Sequence, residues 1–334
     1  LEGHPWFRLR EVVASDSSRG QPLGRLVADD DGGPLWDDAA AMVVKSTDAE
    51  YSSPILLSAL PSGVARELEP RLAKAGHLVV SNASSHRMDP DVPLIIPEVN
   101  PDHIALARNQ IERSGGGIVT NPNCVVAGIA MMFHPLHEAF GLEHAVVTTF
   151  QAISGAGRPG PSAGDLLDNV LPFIAGEEDK LGNEVRKILG QSTETGFESA
   201  AMRVSATCTR VGVAHGHLAS VSLSFRKPPR VEEARDVLNS FRGGVLQDGL
   251  PGAPVQPIEV LEGNNRPQPR LDRDRGDGMT VTVGRIRACE VHHLKMFVLS
   301  HNLVRGAAGA ALLNAELCHA RGLAAQTAHA ATKN

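Results

Sequence analysis

The sequence predicts an α/β protein in which a doubly wound parallel sheet is joined to an α+β domain carrying a mixed, largely antiparallel sheet. Three observations carry that expectation. Two consecutive strand–helix–strand units lie between Pro54 and Thr120. After Cys124 the texture changes to strand-like stretches separated by loops rich in Gly, Pro and charge, and an Ala-rich helix closes the chain. The 334 residues, at about 150 per domain, correspond to two domains.

Leu9 to Ala14 reads as a strand and Ser15 to Gly20 as the polar loop after it. An apolar strand follows at Ile55 to Leu60, then a helix opening near Ser62 with Val64, Leu68 and Leu72 on one face and Gly76 as its stop. Pro70 conflicts with that helix, since an interior proline costs about 3 kcal/mol, so a kink or a break is expected there. A strand at Leu78 to Ser81 completes the first unit. The second unit has a strand at Leu94 to Ile96, Asn100 as N-cap, Pro101 at the first helical position and a helix through Arg113. Gly115 to Gly117 stop this helix ahead of a strand at Ile118 to Thr120. In the second half Ala145 to Phe150, Ala219 to Phe225 and Thr280 to Val283 read as strands. The closing helix, Arg305 to Leu323, carries Ala308, Leu312, Ala315 and Cys318 or His319 on the face expected to pack back on the first domain.

Composition excludes several classes. With 42% hydrophobic and 21% charged residues, 33 Gly and 22 Pro, the chain is that of a folded globular protein. Its net charge of −6 and lack of a Lys/Arg cluster argue against a nucleic-acid partner. The longest nearly pure apolar run, Val125 to Phe133, falls short of the ~20 residues that cross a bilayer, so no membrane partner is expected and the cytoplasm is the expected compartment. Four widely spaced cysteines fit neither a disulfide framework nor a zinc site; reduced thiols and no metal are expected.

The most informative local pattern is Asn121-Pro122-Asn123-Cys124, between a strand and an apolar helix. Asn123 as N-cap places the Cys124 sulfur in the first helical turn, where the positive end of the helix dipole favours thiolate and hence nucleophilic chemistry. The plainer alternative is a buried cysteine acting as a small hydrophobe. A proton-transfer partner lies in Thr209 to His217, where a strand bearing Arg210 runs into a glycine turn presenting His217; its neighbour His215 has equal claim on spacing alone.

Three patterns mimic other sites. Gly155 to Gly160 matches G-x-G-x-x-G literally, but Pro159 and Pro161 obstruct the helix such a phosphate loop must open. Asp272 to Gly278 hints at a calcium loop but has Val283 where the twelfth-position acid belongs, so a solvated hairpin loop is expected. His137-Glu138 begins a zincin motif that Gly141 does not finish.

Taken together the blocks carry a family resemblance. Ser81 to Ser84 with Arg87, Ile96 to His103, Val119 to Cys124, Gln151 to Gly157, Asp168 to Val170, Gly176 to Glu178, Lys187 to Gly190, Arg210 to His217 and Ser300 to Gly309 resemble, in order, the aspartate-β-semialdehyde dehydrogenases of the archaeal and fungal type. The resemblance implies a Rossmann-type cofactor domain, here 1–121 with 303–334, and a catalytic and dimerisation domain at 122–302. It also implies NADPH-dependent reductive dephosphorylation of 4-phospho-L-aspartate through a Cys124 thioester, on the route to lysine, methionine and threonine. A thioester accepts hydride far more readily than a carboxylate, so a covalent sulfur intermediate divides one hard reduction into two steps.

Carried over by position, His217 becomes the acid/base, His215 a bystander, and Gln151 the group that orients the acyl carbonyl. Arg210 would grip the α-carboxylate, Glu177 the ammonium, and Lys180 and Arg87 the phosphate, with Asn123 also against the substrate. NADP would lie along Ser15, Ser18, Arg19, Ser58, Ser81, Asn82, Ser154, Gly155 and Asn302. A homodimer or homotetramer is implied, formed through the second domain's sheet.

Three departures accompany the resemblance. The family's opening strand and glycine-rich turn are absent, so a segment of roughly 20 residues ahead of Leu1 is expected. An arginine often found two residues after the serine is displaced to Arg19, leaving the choice between NADP and NAD to the family. Val125-Val126 replace the more usual Ser-Thr, making the nucleophile's surroundings more apolar. The alternative readings are a malonyl-CoA or N-acetyl-glutamyl-phosphate reductase on the same scaffold, a thiol hydrolase, and an inactive protomer.

Overall fold

The computed structural model describes residues 1–27, 35–157, 160–245 and 248–324. Arg158 and Pro159, within the glycine pattern at 155–160, lie outside the described residues.

Ile55–Ser58, Leu78–Ser81 and Gly117–Thr120 form a three-stranded parallel sheet in that order, with Leu78 in register with both Ile55 and Gly117. The central strand is buried along its whole length, as a parallel strand covered on both faces must be. The strand expected at Leu94–Ile96 is reduced to a bridge between Leu94 and Thr120. Asn100 explains the difference. Its Oδ1 accepts from the Ile96 amide at 2.9 Å and its Nδ2 donates to the Leu94 carbonyl at 2.8 Å, so the side chain holds a loop instead of capping a helix. The chain then makes a 3-10 turn at Pro101–Ile104 before the α-helix Ala105–Ser114. Gly115 ends that helix at φ +83°, a left-handed conformation open to glycine without strain.

The helix Ser62–Lys74 runs through Pro70 without a break. It buries Ala65, Leu68, Glu69 and Ala73, whereas Val64 is exposed, so the inward stripe sits one residue later than its apolar spacing suggests. Of the strand expected at Leu9–Ala14 only Val13–Ala14 forms, paired in parallel with Lys45–Ser46.

The larger sheet has six strands in the order Ile258–Leu261, Val281–Ala288, Leu294–Ser300, His217–Phe225, Leu142–Gln151, Arg203–Arg210. Its two outer pairings are parallel and its three inner pairings antiparallel, which is the mixed sheet expected. Along His217–Phe225 every second residue is buried, the pattern of a sheet with one face on the core. That face packs on the helix Cys124–Phe140, whose residues from Val125 to Phe133 are all buried. Gly141, where the zincin pattern fails, terminates this helix at φ +69°.

A π-turn at Val304–Ala308 leads into the last helix, Gly309–Ala320, which returns to the parallel sheet through Ala311 and Ala315 against Val80. Ala308 and His319 of the expected stripe are exposed, while Ala310 to Ala311 and Leu313 to Cys318 are buried, because this helix is covered nearly all round. Asp272 is likewise no part of a solvated loop. It is 1% exposed, accepts from the Gln268 amide at 2.7 Å and pairs with Arg266 and Arg275.

Candidate active site

The reactive groups converge where the nucleophile helix meets one edge of the six-stranded sheet. Asn123 caps that helix as expected, its Oδ1 accepting from the Val125 amide at 3.0 Å, which sets Cys124 at the first helical position. Gln151 and Arg210 end neighbouring parallel strands in direct register, and His217 begins the next strand over. Cys124 Sγ lies 3.1 Å from His217 Nε2. The opposite ring nitrogen, Nδ1, accepts from the Ala152 amide at 3.0 Å.

Glue between strand and helix comes from Glu177, at the start of the helix Glu177–Ile188. Its two oxygens accept from Asn123 Nδ2 at 3.0 and 2.8 Å, and Lys180 Nζ approaches Oε1 to 3.3 Å. Gln151 Nε2 lies 3.5 Å from Glu177 Oε2. Arg210 is buried and donates from Nη1 to the Ala152 carbonyl at 2.8 Å. Thus Cys124, His217, Gln151, Arg210, Glu177, Lys180 and Asn123 form one connected cluster, and Arg87 joins it through Glu184.

The electrostatics correct one expectation. The Cys124 thiol is pushed up to about 12, first by burial and then by the negative charge of Glu177, with Arg87 and Arg210 pulling the other way. Val125 and Val126, the next two residues, are themselves buried in the core. At the free site the helix terminus is therefore outweighed and the sulfur rests as a thiol. His217 is held down to about 3 by burial, Arg210 and His301, so its ring is neutral.

Gly155 has a role unlike that of a phosphate loop. A Cβ there would lie 2.7 Å from His217 Cε1 and 2.9 Å from Arg210 Nη1, so only glycine admits both side chains. Gly306, in the π-turn, does the same for the nucleophile, since a Cβ would stand 2.7 Å from Cys124 Cβ. His215 is more than a bystander. Its Nδ1 lies 2.9 Å from Ser154 Oγ, which also accepts from Asn302 Nδ2 at 2.9 Å, and its ring stacks on His301.

The cofactor residues divide into two groups. Gly155 packs against the His217 ring, with Ser154 and Asn302 hydrogen-bonded to each other next to it; Ser15, Ser18 and Arg19 lie in and around the 3-10 turn that follows Val13–Ala14. Asn82 follows the Leu78–Ser81 strand and accepts from Asn121 Nδ2 at 2.7 Å. The hydroxyls of Ser58 and Ser81 do not face outward: each donates to Glu69 Oε1 at 2.6 Å inside the sheet–helix interface. Both hydroxyls are thus committed to Glu69 and do not present the NADP contact expected of them.

Sequence reasoning missed Glu184 and, although Lys187 and Gly306 lie in the family blocks, assigned neither of them a role. Glu177, Lys180, Glu184 and Lys187 recur at i, i+3, i+7 and i+10, a helical stripe that reads as solvated charge until the neighbouring elements are known. Among the described residues no group of three or more His, Cys, Asp or Glu is placed to hold a metal ion, and no helix is long and apolar enough to cross a membrane.

Comparison with known proteins agrees with this geometry. Residues 1–107 match the semialdehyde dehydrogenase NAD-binding domain and residues 133–305 the semialdehyde dehydrogenase dimerisation domain. The chain is 45% identical to the aspartate-semialdehyde dehydrogenase of Archaeoglobus fulgidus over 95% of its own length and 92% of the relative's. It is 41% identical to that of Aspergillus fumigatus over 96% and 93% of the two lengths. Among solved structures, the Candida albicans aspartate-semialdehyde dehydrogenase with NADP superposes with a TM-score of 0.89 at 38% identity, covering 96% of this chain and 93% of that one. A Vibrio cholerae aspartate-semialdehyde dehydrogenase II superposes with a TM-score of 0.73 at 27% identity, covering 92% and 89%.

Proposed function

The chain belongs to the aspartate-semialdehyde dehydrogenase family, NADP-dependent oxidoreductases that act on an aldehyde with phosphorylation, and from that premise we propose how its own residues perform the reaction. The observation that carries the assignment is the Cys124 Sγ to His217 Nε2 contact of 3.1 Å, set among Gln151, Arg210 and Glu177.

In the biosynthetic direction Arg210 receives the α-carboxylate of 4-phospho-L-aspartate, a match of planar guanidinium to carboxylate, and Glu177 receives the ammonium. Lys180 and Arg87 receive the phosphoryl group, and Gln151 orients the acyl carbonyl. Pairing with the substrate ammonium neutralises Glu177, the charge that holds the thiol pKa up, so substrate binding itself helps ionise the nucleophile. Cys124 Sγ then attacks the acyl carbon; the C–O bond to phosphate breaks, the thiol proton leaves with the phosphate as hydrogen phosphate, and a thioester remains. Bound NADPH supplies a hydride to the thioester carbon. His217, whose Nε2 carries the ring proton, gives that proton to the carbonyl oxygen as charge develops there. It takes the proton back as the C–S bond breaks and aspartate semialdehyde leaves, and the Cys124 thiolate so released regains its proton from solvent.

On this reading residues 1–121 with 303–334 hold NADP, and 122–302 carry catalysis and dimerisation. The dimerisation-domain match supports an oligomer. Its contact is a homodimer or homotetramer through the outer face of the six-stranded sheet, where Val146 is 43% exposed. The enzyme works in the cytoplasm, in the supply of lysine, methionine and threonine.

The test is phosphate-dependent reduction of NADP with L-aspartate 4-semialdehyde, followed by the absorbance of the reduced nicotinamide. Turnover that needs all three reactants is the expected result. Oxidation of NADPH by malonyl-CoA with none by 4-phospho-L-aspartate overturns the substrate.

A further inference from the structure

Glu184 lies one helical turn inside the site, on the same helix as Glu177 and Lys180, and is 2% exposed. Each of its oxygens has a partner in the reactive cluster. Oε1 accepts from Arg87 Nη1 at 3.0 Å and Oε2 accepts from the Asn123 backbone amide at 2.6 Å. The second bond is to the residue that caps the nucleophile helix. Arg87, itself 7% exposed, donates from Nη2 to the Asn82 carbonyl at 2.7 Å, and its buried Nε–H has no partner. A guanidinium fixed on two edges with a donor left over is poised for an incoming anion, because an unpaired buried donor is costly until something accepts from it.

The same helix fastens the Arg87 loop a second time. Lys187 Nζ donates to the carbonyls of Arg87, Asp89 and Val92, each at 2.8 Å. One rod therefore pins both the loop that carries the phosphate-binding arginine and the amide beside the thiol. Only a carboxylate serves at position 184. Both of its partners are donors, and an amide side chain would turn its NH2 toward one of them.

Resting on the reading that Arg87 binds phosphate, we propose that Glu184 is a positioning residue that orients the Arg87 guanidinium for the phosphoryl group and locks it in register with Cys124 through the Asn123 amide. The charged groups facing Glu184 are Arg87 and Glu177, with Lys187 on its own helix. Burial raises the Glu184 carboxyl from its ordinary value, while Arg87 and the Asn123 amide draw it back.

The experiment is steady-state kinetics in the phosphorylating direction for the wild type, Glu184→Gln, Glu184→Asp and Arg87→Lys, with a melting curve for each. Glu184→Gln is expected to raise the KM for inorganic phosphate by about tenfold or more while the KM for the semialdehyde stays within about twofold. Glu184→Asp, which keeps the charge at shorter reach, is expected to recover part of the phosphate affinity. Glu184→Gln combined with Arg87→Lys is expected to lose no more than Arg87→Lys alone, since both act through one guanidinium. Wild-type kinetics in Glu184→Gln, or equal rises in both KM values, overturns the proposal. If Glu184→Gln does not fold, Glu184→Asp decides by the same phosphate-selective rise. A wild-type rate independent of phosphate instead fails the parent reading and leaves the Glu184 contacts to be judged by the melting curves, in which a loss confined to stability also overturns the proposal.

Discussion

His217 accepts the Ala152 amide at Nδ1, 3.0 Å away, and turns Nε2 toward Cys124 Sγ at 3.1 Å. A backbone N–H can only donate, so Nδ1 must keep its lone pair and a neutral ring must carry its proton on Nε2. The ring thus faces sulfur and substrate as a proton donor, and a second proton on Nδ1 would collide with the amide. Burial and the positive charge of Arg210 act in the same sense, which is why the ring resists protonation.

Cys124→Ala is expected to abolish semialdehyde-dependent NADP reduction, by roughly 10⁴-fold or more, while costing no more than about 1 kcal/mol in a denaturant melt. Measurable turnover in the purified variant would take Cys124 out of the mechanism.

Glu177→Gln is expected to make Cys124 more reactive toward iodoacetamide at a given pH, because after burial the Glu177 carboxylate is the largest influence holding the thiol pKa up. The midpoint of the alkylation rate against pH should move down from the wild-type value, even as the KM for the semialdehyde rises. A midpoint that stays put or moves up contradicts the assignment of Glu177 as the charge opposing ionisation.

His217→Asn is expected to lose about 10² to 10⁴ in kcat, whereas His215→Asn, whose ring meets Ser154, is expected to act mainly on the KM for NADP. Equal losses in kcat for the two variants would refute the division of labour.

Stability should carry the signature of the same ring. The folded-state pKa is depressed from 6.5 to about 3, so below 6.5 the unfolded chain takes up a proton that the folded chain refuses. The contribution is complete above the unfolded value and is lost as pH falls toward the folded one, with a slope of up to about 1.4 kcal/mol per pH unit. Urea unfolding at about pH 7 and about pH 5 should show His217→Gln losing less stability on acidification than the wild type. An identical loss in both proteins means that His217 titrates normally.

Gly155→Ala is expected to reduce kcat by about 10²-fold with little change in the melting temperature, since the added methyl displaces His217 and Arg210 at the mouth of the site and not in the core. An active Gly155→Ala enzyme would show that the two side chains tolerate displacement.

Much of this was readable from local chemistry. The strand Leu78–Ser81, the start of the helix at Ser62 and the Asn123 cap follow from apolar runs, a cap residue and glycine stops, all of which act over a few residues. The Leu94–Ile96 segment was misread because Asn100 can bond backward as easily as it can cap, and only the partner available in space decides. Glu184 escaped notice, and Lys187 was given no role, for a related reason. Charged residues on an amphipathic helix look solvated, and their burial appears only when the Arg87 loop and the Asn123 amide are brought against them. The thiolate expected from the helix dipole failed because dipole effects are worth about 1 kcal/mol, less than the burial of the sulfur and the opposing charge of Glu177, neither of which is visible in the local sequence.

The helix Glu177–Ile188 reaches the site with three ionic groups and fastens the Arg87 loop with a fourth. Because all four ride on a single rigid cylinder, tilting or sliding it shifts the Glu177 carboxylate, the Arg87 loop and the Asn123 amide by a common amount. None of these contacts can be retuned there by itself. The strand that ends in Arg210 is tied to the same helix, the Cys208 amide donating to Glu178 Oε1 at 3.0 Å, so even the guanidinium across the site moves in step with it.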